Sequence, residues 1–306
     1  FQDAYMGLSP FEAPATFSMM PYAEWAHGVW YPQGGMYRIV EVLVDLARAA
    51  GVEFIFNSPV ERIDVDATRA RGIVLTDGQR QADAVLANAD LPYVYQNLLP
   101  NEGLAGSLTR KRFSCSVISF FWGVDKQYET LGPHTLFLAD DYRENFDCIT
   151  HDLGLPANPC LYIHAPARLD ASMAPPEQDT LTAIVPVGHI SENGQQDWEK
   201  IRDQARQHVF RRMATLGITD LDAHIKFETC FTPLSWRKRY NLMKGATHGL
   251  SHNLMQLGYM RPHNRHPRYR NLYFAGASTH PGTGIPTAMV SGRLSAQRIM
   301  DDLGNE

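Results

Sequence analysis

Residues 271–286 read Asn-Leu-Tyr-Phe-Ala-Gly-Ala-Ser-Thr-His-Pro-Gly-Thr-Gly-Ile-Pro. A short apolar strand, Asn271 to Gly276, enters a loop containing Gly282 and Gly284, and a helix is expected from about Pro286 to Leu303. Proline suits a first helical turn, where its missing N–H would have no partner anyway. This strand, loop and helix commit the tail of the chain to an α/β arrangement. The loop glycines let a flat or anionic ligand approach the backbone, and the free N–H groups and positive dipole end of the helix favour negative charge there. A tight strand-to-helix turn with no ligand satisfies the same residues.

Other signatures are missing. Gly282-Thr283-Gly284 is the only G-x-G, and the third glycine of a dinucleotide fingerprint would fall on Thr287. No G-x-x-x-x-G-K-[ST], H-E-x-x-H or G-x-S-x-G occurs, so phosphate cradling, zinc hydrolysis and serine hydrolysis lack their usual support. Of 306 residues 28 are basic and 33 acidic, a formal net charge of −5. A general nucleic-acid binder leans the other way, so no nucleic-acid partner is expected. Four cysteines, Cys115, Cys148, Cys160 and Cys230, lie far apart with no C-x-x-C; this excludes a zinc ribbon and a dense disulfide scaffold and suits a reducing, cytoplasmic setting. No metal site is expected. The best apolar run, Phe113 to Val124, is too short to span a membrane and reads as a buried strand. The chain opens on Phe1 with no secretory signal, and we expect it to be cut from something longer.

Residues 1–33, rich in aromatics, Met and Pro, are expected to be irregular and to lie against an apolar surface. A helix should follow Gly34-Gly35, since Met36, Ile39, Val40, Leu43, Ala47 and Ala50 recur at helical spacing and Gly51 sits at a capping position. Val52–Phe56, Val60–Val65 and Arg71–Leu75 read as strands, and Asp77-Gly78 as a hairpin turn into a strand over Ala82–Ala87. From Ser114 the texture changes. Strands are expected at Cys115–Gly123, Leu161–Ala165, Leu181–Val187 and Ile225–Phe231, with a helix over Gln196–Leu216, a second, mixed domain on an antiparallel sheet.

His248 with His252, and His263 with His266, have metal-like spacing but no accompanying ligand set, and read as supporting or solvent-facing side chains. Arg261 to Arg270 reads as a solvated basic loop or as a contact with anionic membrane lipid. Trp25, Trp30, Tyr31, Trp236 and Tyr240 are either core aromatics or the wall of a long apolar substrate tunnel.

The segment from Asn271 to Ser291 resembles the C-terminal signature of the bacterial and fungal phytoene desaturases, the FAD-dependent carotenoid desaturase family. Pro21–Trp25 with Tyr31–Tyr37, Thr232–Trp236, Tyr240–Gly245, Gly249–His252 and Arg261-Pro262 are similar to further blocks of that family. Phe137–Tyr142 and Val185–His189 resemble its fungal branch. The G-x-G-x-x-G unit with which members begin is absent, so the chain looks like a C-terminal portion. The resemblance implies a partial FAD-binding Rossmann-like domain of the flavin amine oxidase and glutathione reductase type, with an inserted antiparallel-sheet substrate domain. The expected division is a substrate-domain segment over 1–33, partial FAD-binding domain over 34–110, substrate-binding domain over 111–245, and a return to the FAD-binding domain over 246–306.

It further implies FAD as cofactor, with Gly276, Ala277, Pro281, Gly282, Gly284, Ile285 and Pro286 at the flavin and pyrophosphate, and Val60, Asn88 and Ala89 on the adenine side. A reduced flavin carries negative charge on its N1–C2=O2 edge, which is what a helix N-terminus favours. Trp25, Trp30, Trp236 and Tyr240 would meet a lipophilic polyisoprenoid. The catalytic residues are unknown, with Glu24 and His280 as candidates from their place in the motifs. Quinone or dioxygen would accept the electrons, at the surface of a membrane. A carotenoid isomerase or ketolase of the same fold, and a catalytically silent isoprenoid-binding remnant, are the alternatives.

Overall fold

The computed structural model of the chain describes residues 2–99 and 103–304. Its strands, in chain order, are β1 Val60–Val65, β2 Ala70–Leu75, β3 Gly78–Gln81, β4 Val85–Ala87, β5 Ser116–Val124, β6 His134–Phe137, β7 Leu161–His164, β8 Asp179–Val187, β9 Ile225–Phe231 and β10 Leu272–Phe274. The chain forms two compact units. The first comprises Phe1–Pro14, Phe56–Ser116 and Pro233–Glu306, the second Ala15–Ile55 and Val117–Thr232. The class is mixed α/β, as the sequence implies.

In the first unit β1, β2 and β3 form an antiparallel meander, while β4 pairs in parallel with β10. The strand expected over 82–87 is therefore two things: the hairpin partner ends at Gln81, and Val85–Ala87 pairs with a strand almost two hundred residues away. Asn271 stitches the two sheets. Its buried amide accepts from the Ala70 N–H at 2.8 Å and donates to the carbonyls of Ala70 at 2.8 Å and Asp83 at 2.6 Å. Leu91, Val94, Leu98, Leu108, Leu250 and Phe274 belong to the core of this unit, and the helix Ile285–Leu303 closes the chain.

In the second unit five strands run in the order β6-β7-β8-β5-β9, with β5/β9, β6/β7 and β7/β8 antiparallel. Alternation puts Ile118, Phe120 and Trp122 of β5, Leu161 and Ile163 of β7 and Leu181, Ala183 and Val185 of β8 into one core. Ala205, Val209 and Met213 of the helix Trp198–Ala214 complete it. Asp197 caps that helix by accepting from the Lys200 N–H. Trp122 is fully buried, and its indole N–H donates to Glu228 Oε2 at 2.6 Å. Strand β6 carries no expectation from the residues alone.

Three expectations fail here. Residues 52–56 make no strand: Val52, Ile55 and Phe56 are 50–70% exposed, and a strand needs a hydrogen-bonded neighbour that this run does not find. Residues 1–33 are not simply irregular, and they lie against the protein only in part: Ala4, Met6 and Leu8 are buried, whereas Phe11, Tyr22, Trp25 and Trp30 are exposed. Met19–His27 is a helix with no buried residue, and Trp25 and Trp30 are 85% and 87% exposed. The segment expected over 34–110 is divided between the units. Its helix, Tyr37–Ala49, falls with the second because the chain entering it is fastened there: the Gly34 N–H donates to Asp170 Oδ2 at 2.6 Å, and Tyr31 packs edge-on against His164. The apolar stripe of that helix is half exposed at Val40, Leu43 and Leu46.

Candidate functional site

β10 delivers the chain to Gly276, whose φ of +125° turns it out of the sheet, and Gly284, at φ +105°, starts the helix Ile285–Leu303. Pro286 occupies the first turn, and no side chain caps this end. Gly284, Ile285 and Pro286 are exposed, so the N–H groups and positive dipole end of a nineteen-residue helix face open space.

The loop between them is held rigidly from behind. Arg261 is 1% exposed, and its guanidinium donates only to backbone carbonyls: Thr279 at 3.0 Å, Ser251 at 3.2 Å, Gln256 at 3.1 Å, Leu250 at 3.1 Å and Ala277. Burial brings this guanidinium down to about 10, opposed by Asp90, so it stays charged at neutral pH. Asp90 Oδ1 accepts from the Ser278 hydroxyl at 2.5 Å and Oδ2 from the Met243 N–H at 2.9 Å. Burial raises the Asp90 carboxyl above its ordinary value, while these bonds and the Arg261 charge pull it down. Asn264 Nδ2 donates to the carbonyls of Phe274 at 3.1 Å and His280 at 2.9 Å. Ser291, from the helix, donates to the same His280 carbonyl and accepts from the Gly276 N–H.

His252 supports the other end of the loop. Its Nε2 accepts from the Thr283 N–H at 3.2 Å, which leaves Nδ1 to carry the proton toward the Met6 carbonyl at 3.2 Å. Burial, with the nearby Arg261 charge, pushes its imidazole down to about 3, so it is neutral. A Cβ at Gly282 would stand 2.2 Å from His252 Nε2. The expectation that the loop glycines make room for a ligand thus divides. Gly282 makes room for His252, whereas a Cβ at Gly284 meets only Thr287 Oγ1, at 3.2 Å.

Beside this loop lies a cleft of about 510 Å³ whose walls include Val60, Asn88 and Ala89. The Asn88 side chain donates to the Ala275 carbonyl at 3.0 Å, linking cleft to loop. The structure therefore brings Val60, Asn88 and Ala89 into one unit with Gly276, Ala277 and Pro281–Pro286. Ile63, Ile73 and Val85 make the cleft apolar beneath, and Gln81 and Asn241 offer polar atoms. A nucleotide with a flat, apolar ring fits this chemistry, and an anionic ring edge fits the uncapped helix end.

The other candidates are placed less closely. Trp236 and Tyr240 share the helix Pro233–Tyr240 of the first unit, their rings stacked at 5.8 Å. Trp25, Trp30 and Glu24 belong to the second unit and are exposed. His280 is half-buried in the loop itself. Arg261 is buried and departs from the solvated-loop reading, which Arg265, Arg268 and Arg270 keep by being exposed; buried His252 takes the supporting rather than the solvent-facing role. Among the described residues no group of three or more His, Cys, Asp or Glu is placed to hold a metal.

Solved structures share this architecture. An oxidoreductase from Methanosarcina mazei superposes with a TM-score of 0.62 at 14% identity, over 96% of this chain and 63% of its own. Putrescine oxidase bound to putrescine gives 0.54 at 15% identity, over 88% of this chain and 53% of its own. At such identities the likeness is one of fold. The chain belongs to the flavin containing amine oxidoreductase family, whose pattern it matches over residues 3–300. It is 42% identical to the phytoene desaturase of Fusarium fujikuroi over 99% of this chain and 57% of that protein. The zeta-carotene-forming phytoene desaturase of Myxococcus xanthus is also 42% identical, over 98% of this chain and 58% of that protein. The 4,4'-diapophytoene desaturase of Staphylococcus haemolyticus is 34% identical, over 99% of this chain and 62% of that protein. The chain thus spans under two thirds of the length of these relatives.

Proposed function

We propose that this chain forms the flavin-edge and substrate-side portion of an FAD-dependent desaturase acting on phytoene or a similar polyisoprenoid. The observation that carries the reading is the uncapped helix at Ile285, presented by a glycine loop that Arg261, Asp90, Asn264 and His252 hold rigid. The 42% identity to desaturases across the whole chain supports the substrate class. When bound, FAD supplies the two-electron acceptor for an allylic –CH2–CH2– unit that becomes a double bond.

The chain's own residues have four tasks in this reading. The backbone of Gly284, Ile285 and Pro286 stabilises negative charge on the flavin edge, while Gly276, Ala277, Pro281 and Gly282 shape its approach. Val60, Asn88 and Ala89 take the adenine side. Trp236 and Tyr240 in the first unit, and Trp25 and Trp30 in the second, are the candidates each unit offers to an unfunctionalised hydrocarbon, which presents nothing but apolar surface to recognise. A proton must also leave the carbon next to the one losing hydride, and Glu24 and His280 are the candidates to receive it. Quinone or dioxygen takes the electrons onward, and the protein works peripherally at a membrane, where such a substrate dissolves. Among the described residues no helix is long and apolar enough to cross a membrane.

The test uses the natural full-length polypeptide. Incubated with phytoene in liposomes, it should give products lighter by two mass units per step and should show flavin absorbance. Gly284→Val, which adds a side chain beside the helix end, should lose FAD while circular dichroism stays unchanged. A product of unchanged mass would make the protein an isomerase, and normal flavin content in the variant would overturn the placement of the cofactor.

A further inference from the structure

A second cavity in the first unit, of about 590 Å³, is separate from the cleft that holds Val60, Asn88 and Ala89. Its volume is in the range of small-molecule sites. Tyr95, Leu108 and Phe274, buried members of the unit's core, line its interior, with Leu104 and Met260 partly exposed around them. The remaining wall is cationic. Lys111, Arg265 and Arg298 line it, and among the described residues none that lines it is acidic. Arg265 is neutralised by Asp302 at 2.6 Å. Arg298 donates only to its own helix, at the Leu294 carbonyl, and Lys111 has no ion pair among the described residues. Two cations without an ion pair among the described residues, beside an apolar cavity, stand out in a chain whose formal net charge is −5.

A second observation adjoins the first. Two short helical turns, Leu254–Gln256 and Gly258–Met260, lead directly into the cavity wall at Met260. They expose Leu254 by 71%, Met255 by 64%, Tyr259 by 85% and Met260 by 52%. Isolated exposed apolar residues need no explanation, but four of this size within seven positions mark an interaction surface. An aqueous small anion accounts for the cations and not for these side chains. A neutral apolar ligand accounts for the cavity and not for the cations.

We propose that this cavity binds one anionic phospholipid of a bilayer surface, its tail among Tyr95, Leu108 and Phe274 and its phosphate at Lys111 and Arg298, with the 254–260 turns entering the interface. Tyrosine and aliphatic side chains settle at that depth, while lysine and arginine stay at headgroup level. The site is independent of the flavin reading, and its test needs neither FAD nor catalysis.

The natural full-length polypeptide is sedimented with vesicles of phosphatidylcholine, alone or with a quarter of phosphatidylglycerol. Anionic vesicles should bind at least ten times more tightly. Lys111→Gln with Arg298→Gln should remove roughly ten- to thirty-fold of that affinity, as expected for two basic residues near an anionic surface. Leu254→Asp with Tyr259→Asp should abolish vesicle binding but leave binding of monomeric lysophosphatidylglycerol intact. Leu104→Trp, which fills the cavity wall, should abolish lysolipid binding, and circular dichroism should show each variant folded. Equal binding to both vesicle types, or lysolipid binding that survives Leu104→Trp, would overturn the proposal. So would inorganic phosphate competing as well as the lysolipid, because the tail would then contribute nothing.

Discussion

Arg261→Lys keeps the charge and most of the length of the buried side chain, and changes the number and direction of its donors. The guanidinium makes five bonds to the carbonyls of Leu250, Ser251, Gln256, Ala277 and Thr279. An ammonium has three protons, so at least two of those five bonds are lost. Hydrogen bonds to charged groups contribute about 1.5–3 kcal/mol each, so the loss comes to roughly 3–6 kcal/mol before any water enters. The more strongly hydrated ammonium adds to the cost of burial. A destabilisation of about 3–5 kcal/mol, confined at first to the loop and the 250–256 segment, is the expected outcome. Amide exchange reads this directly. The N–H groups of Leu250, His252, Thr279 and His280 are all bonded within the network. Their exchange should accelerate at least about a hundredfold, whereas amides paired between β7 and β8 in the second unit should not change. Loop amides that exchange within about threefold of the parent chain would refute the argument that Arg261 holds the loop.

Three further outcomes follow from the same geometry. Gly282→Ala should destabilise the first unit by about 2 kcal/mol or more, because its Cβ meets His252 Nε2 at 2.2 Å and φ is +141°; Gly284→Ala, at φ +105° with Thr287 Oγ1 3.2 Å from its Cβ, should cost less, about 1–2 kcal/mol in urea unfolding. Asn271→Asp exchanges an amide donor for an oxygen facing the Ala70 and Asp83 carbonyls, so unfolding should come at least about 3 kcal/mol earlier, with the β4/β10 amides exchanging first. Burial pushes His252 to about 3 and His248 to about 4, below their unfolded value, so their contribution is complete above pH 6.5 and falls as pH drops toward those values, by roughly 1 kcal/mol per pH unit for each. The urea midpoint should fall from pH 6.5 to pH 4.5, and less steeply in His252→Gln; an identical slope in that variant would exclude His252 from the effect.

What the sequence allowed to be read, and what it did not, separates along one physical line. The helices at 198–214 and 285–303 and the strand Ile225–Phe231 emerge within two residues of their expected ends, because spacing, caps and proline position act locally. Tyr37–Ala49 was equally legible as a helix, but its burial was not, since periodicity tells which side is apolar and not what covers it. Val52–Phe56 failed for the same reason in another form: β-propensity makes a strand only where a second strand offers its hydrogen bonds.

The site follows that division closely. Val60, Asn88, Ala89 and the 276–286 loop could be assembled from motif resemblance, and they share one unit. Arg261 could not be singled out, because an arginine that opens a run of Arg, His and Pro reads as solvated. Its burial depends on three carbonyls from 250–256 and two from 277–279 converging on one point, which no local pattern records. Gly282 shows how the two kinds of information combine. The sequence reads it as room left for a ligand, and the structure shows that the volume beside it belongs to His252. The loop is therefore shaped by the protein's own buried groups before any ligand arrives. That is the condition under which a helix end such as Ile285 can stabilise developing charge without first reorganising.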